Sequence, residues 1–439
     1  MTHEIISAAR PRSKHAHLAG RIAIMAETTA LYGLEDSQIA QLAAALDHGD
    51  TGTAEVLAQL GLNAPDQLDP PESLVRPVRA LALNVAQTCN LACVYCYASG
   101  GNFGGPDKRM SPDVASRAIE ALIDGTPPGG SVKIAFMGGE PIAARGLIRA
   151  CVMQARSRAA ARAISTGFSI TTNATLVTED DAAFLAEHGF SVTVSLDGGE
   201  LVNDRLRPTR GRSGSFARAA KGVSYLCAHR DRIALSARVT ATPENLDLEA
   251  TLDALAAIGF TSVGVSPMIA SPSGDGALSG QDFEALLAAM IRCGEAWMQA
   301  TLAGRPHPFA NLATALAELH RGQPRRHSCG AARDYLAVDA SGDYAACHRF
   351  ANDPAGHMGS LADGINHLAR QDWLSARTVE RQLPCQSCWA RRLCGGGCHH
   401  EVLHAGRPAC DYVRGWLHFA ILAYSRLNAE RPDWFDGVA

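Results

Sequence analysis

Between residues 78 and 305, six apolar runs alternate with helical stretches, and this alternation restricts the fold more than any other feature of the chain. The runs are Ala80–Val85, Val132–Met137, Phe168–Thr172, Val192–Leu196, Ile233–Val239 and Val263–Met268, each followed by an amphipathic segment. Ser111-Pro112-Asp113 marks one helix start with an N-cap, a proline at the first helical position and a first-turn acid. Thr178-Glu179-Asp180 marks another without the proline. Strands alternating with helices predict a parallel sheet with right-handed crossovers. Six such units predict an open, partial barrel rather than the full eight-fold one. Chemistry in β/α barrels collects at the carboxyl ends of the strands. At those ends lie the Cys89 loop, Gly138-Gly139-Glu140-Pro141, Thr172-Asn173, Ser195-Leu196-Asp197-Gly198, Arg238 with Thr240, and Pro267-Met268. All six would line one mouth.

The loop after the first run reads Cys89-Asn90-Leu91-Ala92-Cys93-Val94-Tyr95-Cys96-Tyr97. Three thiolates can hold three corners of a [4Fe–4S] cube and leave the fourth iron open to a small molecule. Zinc also takes thiolates but normally wants four ligands in paired short spacings. Spacing alone leaves the two readings level. A disulfide is disfavoured, because Met-Thr-His-Glu opens without the basic and apolar pattern of a secretory signal. Thirteen cysteines in 439 residues therefore point to metal or catalysis. Seven of them, Cys329, Cys347, Cys385, Cys388, Cys394, Cys398 and Cys410, fall in the last third, and a zinc ribbon would use four and strand three. Cys151, Cys227 and Cys293 read as buried small hydrophobes, and His399-His400, beside Cys398, as solvent-facing polar residues or as donors to the sulfurs of a cluster. No apolar run of about 18 residues or more signals a membrane span. A net charge of −4 argues against a general nucleic-acid or anionic-membrane binder. A cytoplasmic protein is expected.

Cys89-x3-Cys93-x2-Cys96, with Tyr95 before the last cysteine, resembles the signature of the radical S-adenosylmethionine (SAM) enzymes. The resemblance implies a [4Fe–4S] cluster on Cys89, Cys93 and Cys96, with SAM chelated at the open iron and Tyr95 near its adenine. Gly138-Gly139-Glu140-Pro141 resembles the family's motif for the SAM amino group. Glycines let the backbone approach a ligand closely, and a carboxylate can accept from an ammonium. Asn173, Ser195 and Asp197 match SAM-contacting positions, and Arg207 matches a recurrent arginine of the peptide-modifying branch. The C-terminal spacing, Cys329-x12-Gly342-x4-Cys347 followed by Cys385-x2-Cys388-x5-Cys394-x3-Cys398 and Cys410, resembles the SPASM domain. That implies two auxiliary [4Fe–4S] clusters, three in all. Cys385, Cys388, Cys394 and Cys410 would close the distal one, and Cys329, Cys347 and Cys398 would hold the nearer one. Tyr335 stands where some relatives supply a fourth thiolate.

The expectation is thus an α/β protein with a partial (β/α)6 radical SAM barrel at 77–305. A SPASM domain and closing helix would occupy 306–439. A small N-terminal α+β region would occupy 1–76, as a winged-helix-like peptide-recognition domain or a helical cap. Strands at Ile22–Ala26 and Thr29–Tyr32, helices at Asp36–Leu46 (Asp36 as N-cap) and Thr53–Leu60, and a linker at Asn63–Glu72 are predicted there. The resemblance implies a maturase that generates a 5′-deoxyadenosyl radical and modifies a cysteine-containing peptide or small protein. Flavodoxin or ferredoxin would supply its electrons. Formylglycine-forming sulfatase maturases carry an acidic residue directly after the second SPASM cysteine, and here that residue is His348. Cys347-His348-Arg349 looks more like the maturases that join cysteine sulfur to carbon. Among these it resembles the type that builds thioethers in the small subunit of quinohemoprotein amine dehydrogenase. Formylglycine formation is the alternative, and a non-catalytic Fe–S sensing or binding protein is a third reading.

Overall fold

The computed structural model describes residues 2–62 and 73–437, so the predicted linker at 63–72 lies outside it. The chain forms two compact units. One comprises Ser73–Ala277 with Gly330–Leu374, the other Met1–Glu72, Leu278–Cys329 and Ser375–Ala439.

In the first of these units, β1 (Ala80–Gln87), β2 (Ser131–Gly138), β3 (Ser165–Thr172), β4 (Ser191–Ser195), β5 (Ala234–Ala241) and β6 (Val263–Pro267) lie side by side in chain order, all parallel. The intervening helices are α1 (Pro112–Asp124), α2 (Arg145–Ala160), α3 (Glu179–Glu187), α4 (Glu200–Leu206), α5 (Phe216–Cys227) and α6 (Leu248–Ala257). The predicted caps close these helices as local chemistry requires. Ser111 Oγ accepts from the Val114 N–H at 3.2 Å, and Thr178 and Asp181 form a reciprocal capping box. Side chains alternate with the pleat. Val132, Ile134 and Phe136, Phe168 and Ile170, Val192 and Val194, Ala237 and Val239, and Val263 and Val265 are buried. Their neighbours Ser169, Thr171, Thr193, Ser195, Ser236, Thr240 and Ser266 are only half-buried, so the opposite face is polar.

The six-stranded barrel is not the whole sheet. β7 (Tyr335–Val338) pairs parallel with β1, Tyr335 opposite Ala80, and β8 (Asp343–Ala345), β9 (His357–Ser360) and β10 (Gly364–Ile365) continue it antiparallel. Arg370, fully buried, donates to the carbonyls of Arg76, Ala332 and Arg333 and ties this extension to the start of the barrel.

In the other unit, Ala16–Ala19, Ile22–Met25 and Leu31–Gly33 form a three-stranded antiparallel sheet. The first strand was not anticipated, since Ala-His-Leu-Ala has little strand propensity. Helices Asp36–Asp47 and Gly49–Gln59 follow. The N-cap of the first is Glu35, not Asp36: Glu35 and Gln38 make the capping box, and Asp36 is the first helical residue. Helices Gly280–Leu302, Ala310–Arg321 and Cys410–Glu430 pack together. The N-terminal segment is bound to the cysteine-rich one. Trp389 stacks on His17 at 3.8 Å and donates to the Ala9 carbonyl at 2.8 Å. Glu27, 4% exposed, accepts from both Arg391 and Arg392.

Candidate active site

The Cys89 loop leaves the carboxyl end of β1 and is laced to the last residue of α4 and the segment after it. Ala92 and Val94 donate to the carbonyls of Pro208 and Leu206 at 2.8 and 3.0 Å, and Arg210 donates to that of Asn90 at 3.2 Å. Cys89 Sγ receives the Leu91 N–H at 3.4 Å and the Asn173 side-chain amide at 3.8 Å. The Asn173 amide is fixed in turn, because its oxygen accepts from the Thr175 N–H and hydroxyl. Burial pushes the Cys89 thiol up to about 11 and the Cys93 thiol up to about 12. Desolvated thiols of this kind become thiolates when a metal replaces the proton.

Beside this loop β2 ends in Gly138, and Gly139 follows it. Gly138 has φ 142°, and a Cβ there would lie 2.3 Å from the Ala86 carbonyl oxygen. A Cβ on Gly139 would lie 2.3 Å from the Thr88 oxygen. Backbone therefore presses on backbone, which only glycine permits, and the Glu140 N–H donates to Thr88 at 3.0 Å. Replacing Gly139 with alanine must push the cysteine loop away. The expected result is a loss of about 2 kcal/mol or more in stability, with reduced iron uptake, read by thermal unfolding and iron analysis. Glu140 itself is 0% exposed and fully engaged. Its carboxylate accepts from Thr172 Oγ1 at 2.7 Å, the Asn173 N–H at 2.8 Å and the Ile142 N–H at 3.0 Å. It braces the ends of β2 and β3.

Tyr95, Asp197 and Arg207 form a second buried group. The Tyr95 hydroxyl bonds both Asp197 and Arg207, and Arg207 Nη1 lies 3.7 Å from Asp197 Oδ2. The other Asp197 oxygen accepts from the Thr240 N–H at 2.9 Å. Ser195, half-buried, ends β4 opposite Arg238 of β5. Arg238 is exposed on the polar face and belongs with the site by that register. Its position near a strand end was the only sequence signal for it.

A further loop joins the mouth. Asn84, fully buried in β1, donates to the His348 carbonyl at 3.3 Å, and Asn352 donates to that of Asn102 at 3.1 Å. The Arg349 guanidinium lies 4.6 Å over the Tyr97 ring, and the Tyr335 hydroxyl is 3.0 Å from His348 Nδ1. Cys347 is thus carried on a loop packed against the cysteine loop.

In the other unit Cys385, Cys388, Cys394 and Cys410 are brought together. Burial raises Cys385 to about 11, Arg407 opposes that rise, and Cys394, Cys388 and Cys410 add to it. Gly396 and Gly397 turn their N–H groups onto Cys394. Cys329 and Cys398 belong to this unit, while Cys347 belongs to the barrel unit. His399 is buried rather than solvent-facing, and desolvation lowers it to about 3. Cys151 and Cys293 are buried as expected, whereas Cys227 is only partly so.

Residues 83–255 match the Radical SAM superfamily. This stretch is a radical SAM domain. A serine-type anaerobic sulfatase-maturating enzyme of Klebsiella aerogenes is 26% identical over 353 residues, covering 75% of this chain and 82% of that protein. An Fe-coproporphyrin III synthase of Methanosarcina barkeri is 34% identical over 174 residues, 39% of each chain. Among solved structures, native anSMEcpe with bound AdoMet superposes with a TM-score of 0.67 at 18% identity, covering 81% of this chain and 99% of that one. Streptococcus suis SuiB gives 0.54 at 15% identity, covering 90% and 96%. At these identities the superpositions show a shared fold, which extends beyond the radical SAM domain. The chain contains a radical SAM domain, and Cys89, Cys93 and Cys96 lie within the matched stretch. Among the described residues, no helix is long and apolar enough to cross a membrane.

Proposed function

We propose that this radical SAM enzyme is a maturase acting on a cysteine-containing peptide or small protein, and that its product is an intrapeptide thioether from cysteine sulfur to carbon. Cys89, Cys93 and Cys96 hold the site cluster. The backbone at Gly138 and Gly139 admits the methionyl end of SAM. Ser195 and Arg238, on paired strands, take its carboxylate, and Asn173, Tyr95, Asp197 and Arg207 hold the loop that surrounds it. The bound cofactors supply hydrogen-atom abstraction from a substrate carbon. The chain supplies a polar, concave sheet face that orients that carbon and a mouth that excludes water.

The observation that carries the thioether reading is the Cys347–Arg349 loop. It packs on the cysteine loop and presents His348, paired with Tyr335, after Cys347. An acidic residue would stand at that position in a formylglycine-forming maturase. Likeness to sulfatase-maturating enzymes supports formylglycine formation as the second reading. Two auxiliary clusters, one of them on Cys385, Cys388, Cys394 and Cys410, fit a substrate oxidation that leaves an electron to be removed, and a flavodoxin or ferredoxin would reduce the site cluster. Their number rests on the cysteine spacing of the sequence. In the N-terminal region, Leu31–Gly33 is an edge strand with Tyr32 and Gly33 exposed. An extended peptide could pair with it.

The test is to co-express the chain anaerobically with each short cysteine-containing reading frame beside its gene and weigh the product. Thioether formation removes two hydrogens per crosslink and leaves those cysteines refractory to alkylation. A product that has lost sulfur and reacts with a hydrazide would establish formylglycine instead. No 5′-deoxyadenosine from a fully iron-loaded protein given SAM and reductant would leave the non-catalytic reading.

A further inference from the structure

Arg207 carries a charge into the interior, at 7% exposure, and the structure spends several contacts on holding it still. Asp197, 0% exposed, lies 3.7 Å away and is itself pinned by the Thr240 N–H, and the Tyr95 hydroxyl joins the two. Arg207 Nε is buried without a hydrogen-bond partner. The residues around it are those of the cysteine loop. Cys93 packs against Tyr95, Leu206 and Met268, and the Val94 N–H donates to Leu206, one residue before Arg207. The guanidinium is the strongest charge acting on the Cys93 sulfur, opposing the effect of burial.

A cluster on three thiolates gains one negative charge on reduction, and a fixed cation beside it favours the reduced form. We propose that Arg207, pinned by Asp197 and Tyr95, is the positioning residue that sets the reduction potential of the cluster on Cys89, Cys93 and Cys96. This rests on the cluster site proposed above. A unit charge at about 10 Å and an effective dielectric of about 20 changes a one-electron equilibrium on the order of tenfold, or about 59 mV. Asp197 acts with the opposite sign. Together the two make a buried pair whose net effect depends on which member acts more strongly on the sulfur; Arg207 directly follows Leu206, whose carbonyl holds the Val94 N–H beside Cys93, and its charge outweighs that of Asp197 there.

The experiment uses full-length protein reconstituted anaerobically, without SAM, poised at a fixed potential with a viologen mediator. Paramagnetic resonance reads the reduced fraction. Subtracting the spectrum of the Cys89→Ala, Cys93→Ala, Cys96→Ala triple variant isolates this cluster. Arg207→Gln is expected to lower the reduced-to-oxidised ratio about tenfold. Asp197→Asn is expected to raise it, and Arg207→Lys to leave it within about threefold, since the charge stays. A packing role would move all three the same way or not at all. Equal ratios in Arg207→Gln and the parent at equal iron content would overturn the assignment. Should Arg207→Gln fail to hold iron, Asp197→Asn decides: a rise supports the proposal, and no change or a fall defeats it. A parent protein that takes up no iron on the three cysteines would sink the cluster reading as well.

Discussion

Cys96→Ala is expected to abolish 5′-deoxyadenosine formation, by more than about a thousandfold, and to strip the site of its iron. The reason is the ligand count. Three sulfurs on one short loop supply the whole protein share of a cluster whose fourth corner stays open. Polar groups beside the loop are already engaged. The carboxylates of Glu140 and Asp197 are committed to internal donors, and the Asn173 amide is turned so that its oxygen faces Thr175. Loss of a thousandfold corresponds to about 4 kcal/mol of barrier. The measurement is chromatographic detection of 5′-deoxyadenosine from reduced protein and SAM, beside iron analysis. Retained product formation at more than about a tenth of the parent rate would show that the three cysteines are not the site. The fold should survive, because Cys96 sits in a loop outside the buried strand core.

The second large effect is on stability and lies in the other unit. Glu27→Ala is expected to destabilise it by about 3–5 kcal/mol, because it leaves Arg391 and Arg392 buried without their counter-charge. Arg392 is 0% exposed and Arg391 is 7% exposed, so water cannot take over the lost contact. Glu380, 2.7 Å from Arg392, compensates in part but serves Arg326 as well. At about 2–4 °C per kcal/mol the first thermal transition should fall by about 6–20 °C. Calorimetry of the iron-loaded protein reads it, and a shift below about 2 °C would mean the network contributes little. Glu27→Gln, which keeps the shape and some hydrogen bonding, should lie between the two. Because Arg391 also donates to the Lys14 and Cys388 carbonyls, the alanine variant should loosen the segment that carries Cys385, Cys388 and Cys394. Lower iron content is the expected companion result.

Much of the barrel was readable because its signals are local. Apolar residues at period two followed by amphipathic segments name a strand and its covering helix within some thirty residues, and Ser111 and Thr178 sit where the helices begin. Glu35 escaped because glutamate seldom caps a helix by itself, and it does so here only with Gln38 reaching back. The first N-terminal strand escaped because alanine and histidine say little about strands.

What the sequence by itself determined is the chemistry on offer: three cysteines after the first strand, two glycines at the end of the second, polar residues at the ends of the third, fourth and fifth, and a second crowd of thiols near the C-terminus. These are contiguous motifs, and their function depends on spacing along the chain. Only the tertiary structure decided which of the polar residues are spent inside the protein. Glu140 reaches Thr172 and Asn173, Tyr95 reaches Asp197 and Arg207, and β7 returns to pair with β1. Each of these partners lies on a different element, joined by a register or a loop path that no local pattern encodes. A carboxylate in a motif looks the same whether it faces a ligand or a backbone N–H, and burial with its partners tells them apart.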